Sequence, residues 1–280
     1  MPRFRNPISV NQFDSIIKNP ICPVVGEVEP LQLGLLLWLD TTVSSSLDAS
    51  SDGDLVGSWT DRRGGGKTAS QSTGSRKPLL KIGIQNGLPV VRTDGVDDQL
   101  DLGDDADFEL DDFSIYMIVQ RLSINTGDGL FCMQHQVQGA FDLAGILIDF
   151  LANNKLRFII KKESTGFIQV VTVPTYAANQ FFIISFIKSG TSHQLRVDGV
   201  EPSFTIGGAS NVPAVVDYTT STTKRTLLFE SYGDGGGSPP IVVPHHGDMG
   251  ELLVYDNGHS DSERDGVEQY LSNKWGISIP

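Results

Sequence analysis

Apolar and polar positions follow one another in short bursts along most of this chain. Residues 31–40, LQLGLLLWLD, read as a buried strand closing in a turn, and residues 53–60, GDLVGSWT, as a second short strand. LLKIGI and LPVVRT flank Asn86-Gly87, which predicts a two-residue hairpin because both residues tolerate positive φ. Asp94-Gly95 marks the next turn. Eight further stretches are of strand length: FSIYMIVQRL, GLFCMQ, AGILIDFL, KLRFIIKK, GFIQVVTV, QFFIISFIK, HQLRVDGV and TLLFESYG. Their richness in Ile, Val and Phe suits half-buried or buried strands. Asn153-Asn154 and Ser189-Gly190 read as hairpin turns. A loop opens at Gly64, Gly65 and Gly66 and runs through polar residues to Pro78. The longest breaks are the polar loops 207–224 and 233–247. The period changes only at the end. Ser260-Asp261-Ser262-Glu263 forms a capping box, and Val267, Tyr270, Leu271 and Trp275 follow at helical spacing before Gly276 stops the run.

This pattern predicts an all-β, two-sheet antiparallel sandwich with one C-terminal amphipathic helix over 260–275 that packs on it. Residues 1–30 stand apart. Pro2, Pro7, Pro20, Pro23 and Pro30 interrupt them, and only residues 11–18 suggest a short helix, with Phe13, Ile16 and Ile17 on one side. They read as an N-terminal extended arm preceding one domain over 31–280. The arm either packs on the domain as a tether or docks on a partner subunit.

Composition narrows the partners. A formal net charge of −13 offers no basic footprint for nucleic acid, and an anionic membrane would repel it. The longest apolar run, at 31–39, contains Gln32 and Gly34 and is too short to span a bilayer. The N-terminal stretch lacks the apolar region of a secretory signal, so synthesis in the cytoplasm is the expectation. Cys22 and Cys132 belong to no metal-binding spacing and are expected to be free thiols.

Three stretches resemble a known family. Trp59-Thr60-Asp61-Arg62-Arg63 precedes the three glycines. Asn86, Gly87, Pro89, Val91 and Arg92 lead to Asp94, Gly95, Asp97 and Asp98. The tail joins Gly250-Glu251-Leu252-Leu253-Val254-Tyr255-Asp256 to Ser260-Asp261-Ser262-Glu263-Arg264 and to residues 267–276, VEQYLSNKWG. Together they resemble laminin-G-like, concanavalin A-like lectin-glucanase domains of the type found in bacteriophage and bacterial structural proteins. The resemblance covers residues 31–280 and implies a jelly roll. It implies little about ligand, since the fold hosts lectins, glucanases, adhesion modules and virion parts.

The candidate chemistry is sparse. Retaining glucanases place two carboxylates about 5 Å apart, often on one strand as Glu-x-Asp-x-Glu. The nearest match here is Glu109-Leu110-Asp111-Asp112-Phe113, which has Phe113 where the acid belongs and reads as a solvated loop. No G-x-S-x-G elbow or P-loop occurs. His245-His246-Gly247-Asp248 reads as an exposed loop, because adjacent residues on a strand face opposite ways and rarely share one ion. The crowded carboxylates of Asp94, Asp97, Asp98, Asp101, Asp104, Asp105 and Asp107 suggest structural calcium, but without an EF-hand spacing. No cofactor is expected. Trp59 and Trp275 are expected in the core, and Asp61 is expected to brace the glycine loop. Loop residues Tyr218, Tyr232 and Asp234 are the candidates for sugar contacts, aromatics stacking on rings and carboxylate meeting hydroxyls.

The expectation is therefore a non-enzymatic virion protein of a bacteriophage, a capsid decoration or a tail- or baseplate-associated part. The arm would anchor it to other virion subunits, and host-surface glycan would be a further ligand. Such parts are commonly homo-oligomeric. A stand-alone carbohydrate-binding module is the alternative, and a glycoside hydrolase the third reading.

Overall fold

A computed structural model describes residues 29–64, 66–123, 127–136, 145–162, 166–208, 211–218, 224–233 and 241–280. All but the last two residues of the expected arm, and with them Cys22, lie outside the described residues. The first strands are β1 (Leu35–Asp40), β2 (Ser58–Thr60), β3 (Thr68–Ser70), β4 (Leu79–Gln85), β5 (Leu88–Arg92) and β6 (Leu100–Gly103). The middle of the chain supplies β7 (Phe113–Arg121), β8 (Asp128–Gln136), β9 (Ile146–Phe150), β10 (Leu156–Lys162), β11 (Gly166–Thr172), β12 (Phe181–Ser189) and β13 (Ser192–Val197). The last are β14 (Phe204–Gly208), β15 (Lys224–Leu228), β16 (Glu230–Gly233), β17 (Ile241–Pro244) and β18 (Gly247–Tyr255), before helix α1 (Asp261–Trp275).

Two antiparallel sheets form the sandwich. Sheet I runs β13-β12-β7-β18-β5-β4, with β1 also paired to β18. Sheet II runs β14-β11-β10-β9-β8-β15-β6-β3-β2, and β16-β17 make a separate hairpin. Strand alternation builds the core between them. In β7, Phe113, Ile115, Met117 and Val119 face inward, where they join Phe131, Ile148, Phe158 and Phe186. Trp59 is in the same cluster. The opposite residues of β7, Tyr116 and Ile118, lie under the helix with Val267, Leu271 and Trp275. Among the described residues no helix is long and apolar enough to cross a membrane.

Several local expectations hold. Asn86 and Gly87 take φ of +51° and +75° between the paired Gln85 and Leu88. Ser260 caps α1, its N–H donating to Glu263 Oε2 at 2.8 Å, and Gly276 ends the helix at φ +65°. Others shift. The β12–β13 turn centres on Gly190-Thr191 rather than Ser189-Gly190, because Ser189 pairs with Ser192. The polar loop before Pro78 contains β3, and the single strand expected across TLLFESYG breaks into β15 and β16. The break is Phe229, a buried non-glycine residue at φ +70°, a conformation that costs roughly 1–3 kcal/mol. Its backbone is held from both sides, donating to Leu130 O at 3.0 Å and accepting from His245 N at 2.8 Å.

The stretch Asp61-Arg62-Arg63 acts as a substitute strand. The Trp38 N–H of β1 donates to Asp61 Oδ1 at 3.2 Å, and the Arg62 N–H donates to Trp38 O at 2.8 Å. The Arg63 guanidinium donates to the carbonyls of Leu35 and Leu36. Asp61 Oδ1 also accepts the Arg63 N–H at 3.1 Å, which bears out its bracing role.

The tail motif does more. A bulge at Gly250 shifts the register of β18 between Met249 and Glu251. Met249 and Leu252 therefore both face the core, while Glu251 turns toward α1. Gly250 has to be glycine, since a Cβ there would lie 2.3 Å from the Trp275 indole. Fully buried Glu251 accepts from Trp38 Nε1 and Tyr270 Oη on one oxygen and from Trp275 Nε1 on the other, each at 2.7 Å. Lys274 Nζ lies 2.9 Å from that second oxygen and 2.8 Å from Asp40, which also pairs with Arg62 at 2.7 Å. Burial raises the Glu251 carboxyl above its usual range, and Lys274 pulls it back.

Removing one partner of a buried charge network costs about 3–5 kcal/mol. Glu251→Ala is thus expected to lower Tm by roughly 10 °C, with two indole N–H groups and the Tyr270 hydroxyl proton left unmet. Thermal unfolding followed by circular dichroism checks this, and a shift under ~2 °C would show that the network is not what holds α1.

Candidate functional site

Helix α1 covers the centre of the outer face of sheet I, and the outer face of sheet II carries a polar recess. The register sets one row across that face: Ser58, Ser70, Asp101, Leu227, Cys132, Leu147 and Ile159. The row divides by chemistry. Cys132, Leu147, Ile159 and Leu227 form a small buried apolar cluster of their own. At the polar end lies a shallow cleft of about 420 Å³ lined by Gly57, Ser70, Gln71, Ser72, Gln99 and Asp101.

Each wall of the cleft has a local cause. Trp59 and Ala69 point into the core, so their neighbours Ser58 and Ser70 point out. Leu100 does the same for Gln99 and Asp101. Gly57 leaves room for the Lys77 side chain, whose Nζ lies 2.5 Å from where a Cβ would sit. The Gln71 amide oxygen accepts the Thr73 N–H at 3.0 Å, which leaves its NH₂ for other partners. Asp101 accepts from Gly103 N at 2.6 Å and from Arg225 at 2.9 Å. Gln99 Oε1 is buried and has no hydrogen-bond partner among the described residues. A buried amide oxygen without a donor is unfavourable by about 1–3 kcal/mol, a deficit that a ligand hydroxyl would remove.

The residues singled out from sequence do not come together here. Tyr218 is only 5% exposed, and its hydroxyl donates to Leu110 O at 2.7 Å and accepts from Leu110 N at 3.1 Å. It is a core strut with no open ring face for stacking, a correction to its reading as a sugar contact. The physical reason is that its loop folds inward, Val212 and Val216 joining the main core with it. Tyr232 sits in β16, where only the backbone is described, and Asp234 lies outside the described residues. Glu109, Asp111 and Asp112 do read as a polar loop. Their oxygens are engaged by Lys224, by the Val216 N–H at 2.9 Å and by the Gly190 N–H at 2.6 Å. Trp275 is fully buried, as expected.

His245 corrects a second expectation. Its ring is fully buried and stacked on Phe229 with an interplanar angle of 10°. Burial, aided by the Arg121 and His246 charges, pushes its pKa down to about 3. Asp248 is equally buried and holds Arg92 at 2.6 and 2.8 Å. The segment opens β18 and lies inside the sandwich end, not on an exposed loop.

Of the seven crowded aspartates, the fold brings together three. Carboxylate oxygens of Asp94, Asp97 and Asp98 lie within 4.8 Å of one another. Asp101 is tied to Arg225, and Asp105 and Asp107 to Lys67 at 2.6 and 2.8 Å. Within the triplet, Asp94 Oδ1 accepts the Val96 N–H and Asp98 Oδ2 the Asp94 N–H. These bonds make the tight Asp94-Gly95 turn that the sequence suggests. Burial raises Asp98 to about 6, and the Asp94 and Asp97 charges add to it. Below about pH 6 a proton on Asp98 relieves the crowding.

No protein-family model matches the chain, and no curated protein matches it by sequence. Solved structures do. Domain 4 of AbnA, a GH43 extracellular arabinanase from Geobacillus stearothermophilus, in complex with arabinotriose, matches at a TM-score of 0.53 and 13% identity. That match covers 84% of this chain and 97% of the other. Trypanosoma rangeli sialidase in complex with the inhibitor DANA matches at 0.51 and 13% identity, over 95% of this chain and 37% of that one. The chain thus spans about a third of the length of the sialidase structures it matches. The likeness is one of fold: a lectin-like jelly-roll sandwich with one helix near the C-terminus.

The Asp98 proton predicts a pH dependence. The folded chain keeps it up to about pH 6, whereas the unfolded chain releases it near pH 4. The stabilisation is full below about pH 4 and is lost as pH rises to about 6. Asp98→Asn, which keeps an acceptor for the Asp94 N–H, is expected to gain about 1–2 kcal/mol at pH 7.5 and little at pH 4. Urea unfolding at the two pH values measures the difference, and an equal gain at both would refute the assignment.

Proposed function

We propose that this chain is a non-catalytic carbohydrate-binding module whose glycan lies in the polar cleft of sheet II. The observation that carries the reading is the cleft itself. It offers serine hydroxyls, glutamine amides, one carboxylate and a buried amide oxygen lacking a donor among the described residues, on a sheet face clear of the helix. Saccharide hydroxyls both donate and accept, so they suit such a mixed lining. Asp101 is the one charged lining residue and the chain carries a net −13, which favours a neutral saccharide over an acidic one. The fold agrees with this reading, since AbnA domain 4 was solved with arabinotriose.

The non-enzymatic part of the proposal rests on the failed carboxylate pattern at 109–113 and on how those side chains are engaged. The finer part of the proposal, that the module is carried on a bacteriophage particle and anchored through residues 1–30, extends it by class of domain and by exclusion; residues 1–30 lie outside the motif resemblance of residues 31–280.

Titration calorimetry with neutral oligosaccharides, arabinotriose among them, tests the core of the proposal. Gln99→Ala and Asp101→Ala are each expected to weaken binding about tenfold, the loss of one or two ligand hydrogen bonds. No heat with any neutral or acidic glycan would leave a purely structural role. Reducing-end release from a polysaccharide panel would overturn the non-enzymatic reading. Mass spectrometry of purified particles tests the virion placement, and absence from particles would leave a stand-alone module.

A further inference from the structure

A second pocket lies far from that cleft in the fold, on sheet I rather than sheet II. It occupies about 230 Å³ where the β12–β13 turn meets the segment leading into α1, and is lined by Ile187, Ser189, Ser192, His193, Gln194 and His259. Volume alone would mean little, but the lining is unusual in how its imidazoles are used.

His259 is 7% exposed. Its Nδ1 shares a hydrogen bond of 2.7 Å with the Tyr116 hydroxyl beneath it, and its ring packs on Tyr255 with centroids 4.2 Å apart. The two ring nitrogens of an imidazole point away from each other, so Nε2 is directed away from Tyr116. That atom is buried and has no hydrogen-bond partner among the described residues, and the same holds for His193 Nε2. Ser189 and Ser192, flanking the turn, bring exposed hydroxyls to the rim. We propose that this pocket is a second binding site, for a neutral, hydroxyl-rich small molecule about one sugar ring in size.

The chemistry selects this class against others. Tyr116 either donates to Nδ1 or accepts from it, so His259 Nε2 presents an N–H in one case and a lone pair in the other. A hydroxyl satisfies both; a carboxylate or an ammonium satisfies only one. Burial lowers the basicity of both imidazoles, so the lining is uncharged near neutral pH. The neighbouring cation does not invite an anion, because Arg264 is engaged by Gln194, Asp261 and Asp265. The pocket holds two imidazoles but no carboxylate, and the one group of three metal-ligating side chains among the described residues is Asp94, Asp97 and Asp98. Ile187 is its sole apolar wall, too little for an apolar ligand. The volume equals that of about eight waters at ~30 Å³ each. His193 also lines an adjoining recess of about 430 Å³ with Thr191, Ile206, Asn211 and Val212, so a longer saccharide has room to continue.

The inference stands independently of the cleft. The test is long-range ¹H–¹⁵N NMR of the histidine rings in the full chain, titrated with D-glucose, D-galactose and L-arabinose in turn. The expected result is a saturable shift of the His259 nitrogens with at least one sugar, at a dissociation constant on the order of millimolar. Ser192→Trp, on an exposed turn, plugs the pocket and is expected to abolish the shift. Ser192→Ala, which leaves the hairpin undisturbed, is expected to weaken binding about threefold to tenfold. Asp101→Ala in the sheet II cleft is expected to change nothing at His259. Rings that do not respond to any of the three sugars, or a response that survives both Ser192 variants, would overturn the pocket. Calorimetric binding that is lost in Asp101→Ala while the rings stay silent would overturn it and leave the cleft reading intact.

Discussion

Burying the Glu251 carboxylate is unfavourable by several kcal/mol unless its oxygens are met by well-placed donors. The chain meets it from three distant stretches: Trp38 from the first strand, Glu251 itself from the last, and Tyr270, Lys274 and Trp275 from the helix. Asp40 and Arg62 complete the charge balance around Lys274. This knot joins the first described strand to the last strand and the helix, and it determines which face of the sandwich is covered. With α1 fastened over sheet I, the centre of that sheet is buried on both sides, as the uninterrupted burial of β7 and β18 records. The polar end of the outer face of sheet II stays open, and the cleft follows from that asymmetry.

What could be read beforehand was local or periodic. The capping box, the helical spacing of Val267, Tyr270, Leu271 and Trp275, and the Asn86-Gly87 turn each involve a few neighbouring residues, and each holds. So did the burial of Trp59 and Trp275, since large apolar rings have few other places to go. The role of the tail motif was not legible in the same way. Glu251 looks like a surface acid in sequence, and only the Gly250 bulge, which reverses the pleat, turns it toward the indoles.

The misreadings share one cause. His245, Asp248 and Tyr218 sit among glycines, prolines and polar residues, a composition that suggests open loops. Composition says nothing about whether such a loop folds back onto the core, and these do: Tyr218 finds the Leu110 backbone and Asp248 finds Arg92. The cleft was missed for the opposite reason. Gly57, Ser70, Gln71, Ser72, Gln99 and Asp101 come from segments that look unremarkable one at a time, and only the β2–β3–β6 register brings them side by side. The sole hint lay in the outward phase of Ser58 and Ser70 around the core residues Trp59 and Ala69.

The substitute strand formed by Asp61, Arg62 and Arg63 bears on how this protein behaves in a crowd. An open strand edge is a template on which other chains polymerise, and β1 would be such a template, being short, aliphatic and close to the end of its sheet. Here its outward amide and carbonyls are already taken, by a carboxylate, a backbone N–H and a guanidinium that no incoming strand can extend. Loss of Arg63 would therefore matter less to the folded molecule than to its shelf life: the released carbonyls would offer neighbouring copies a place to add on, and the failure would be seen as fibres and precipitate before any loss of the fold itself.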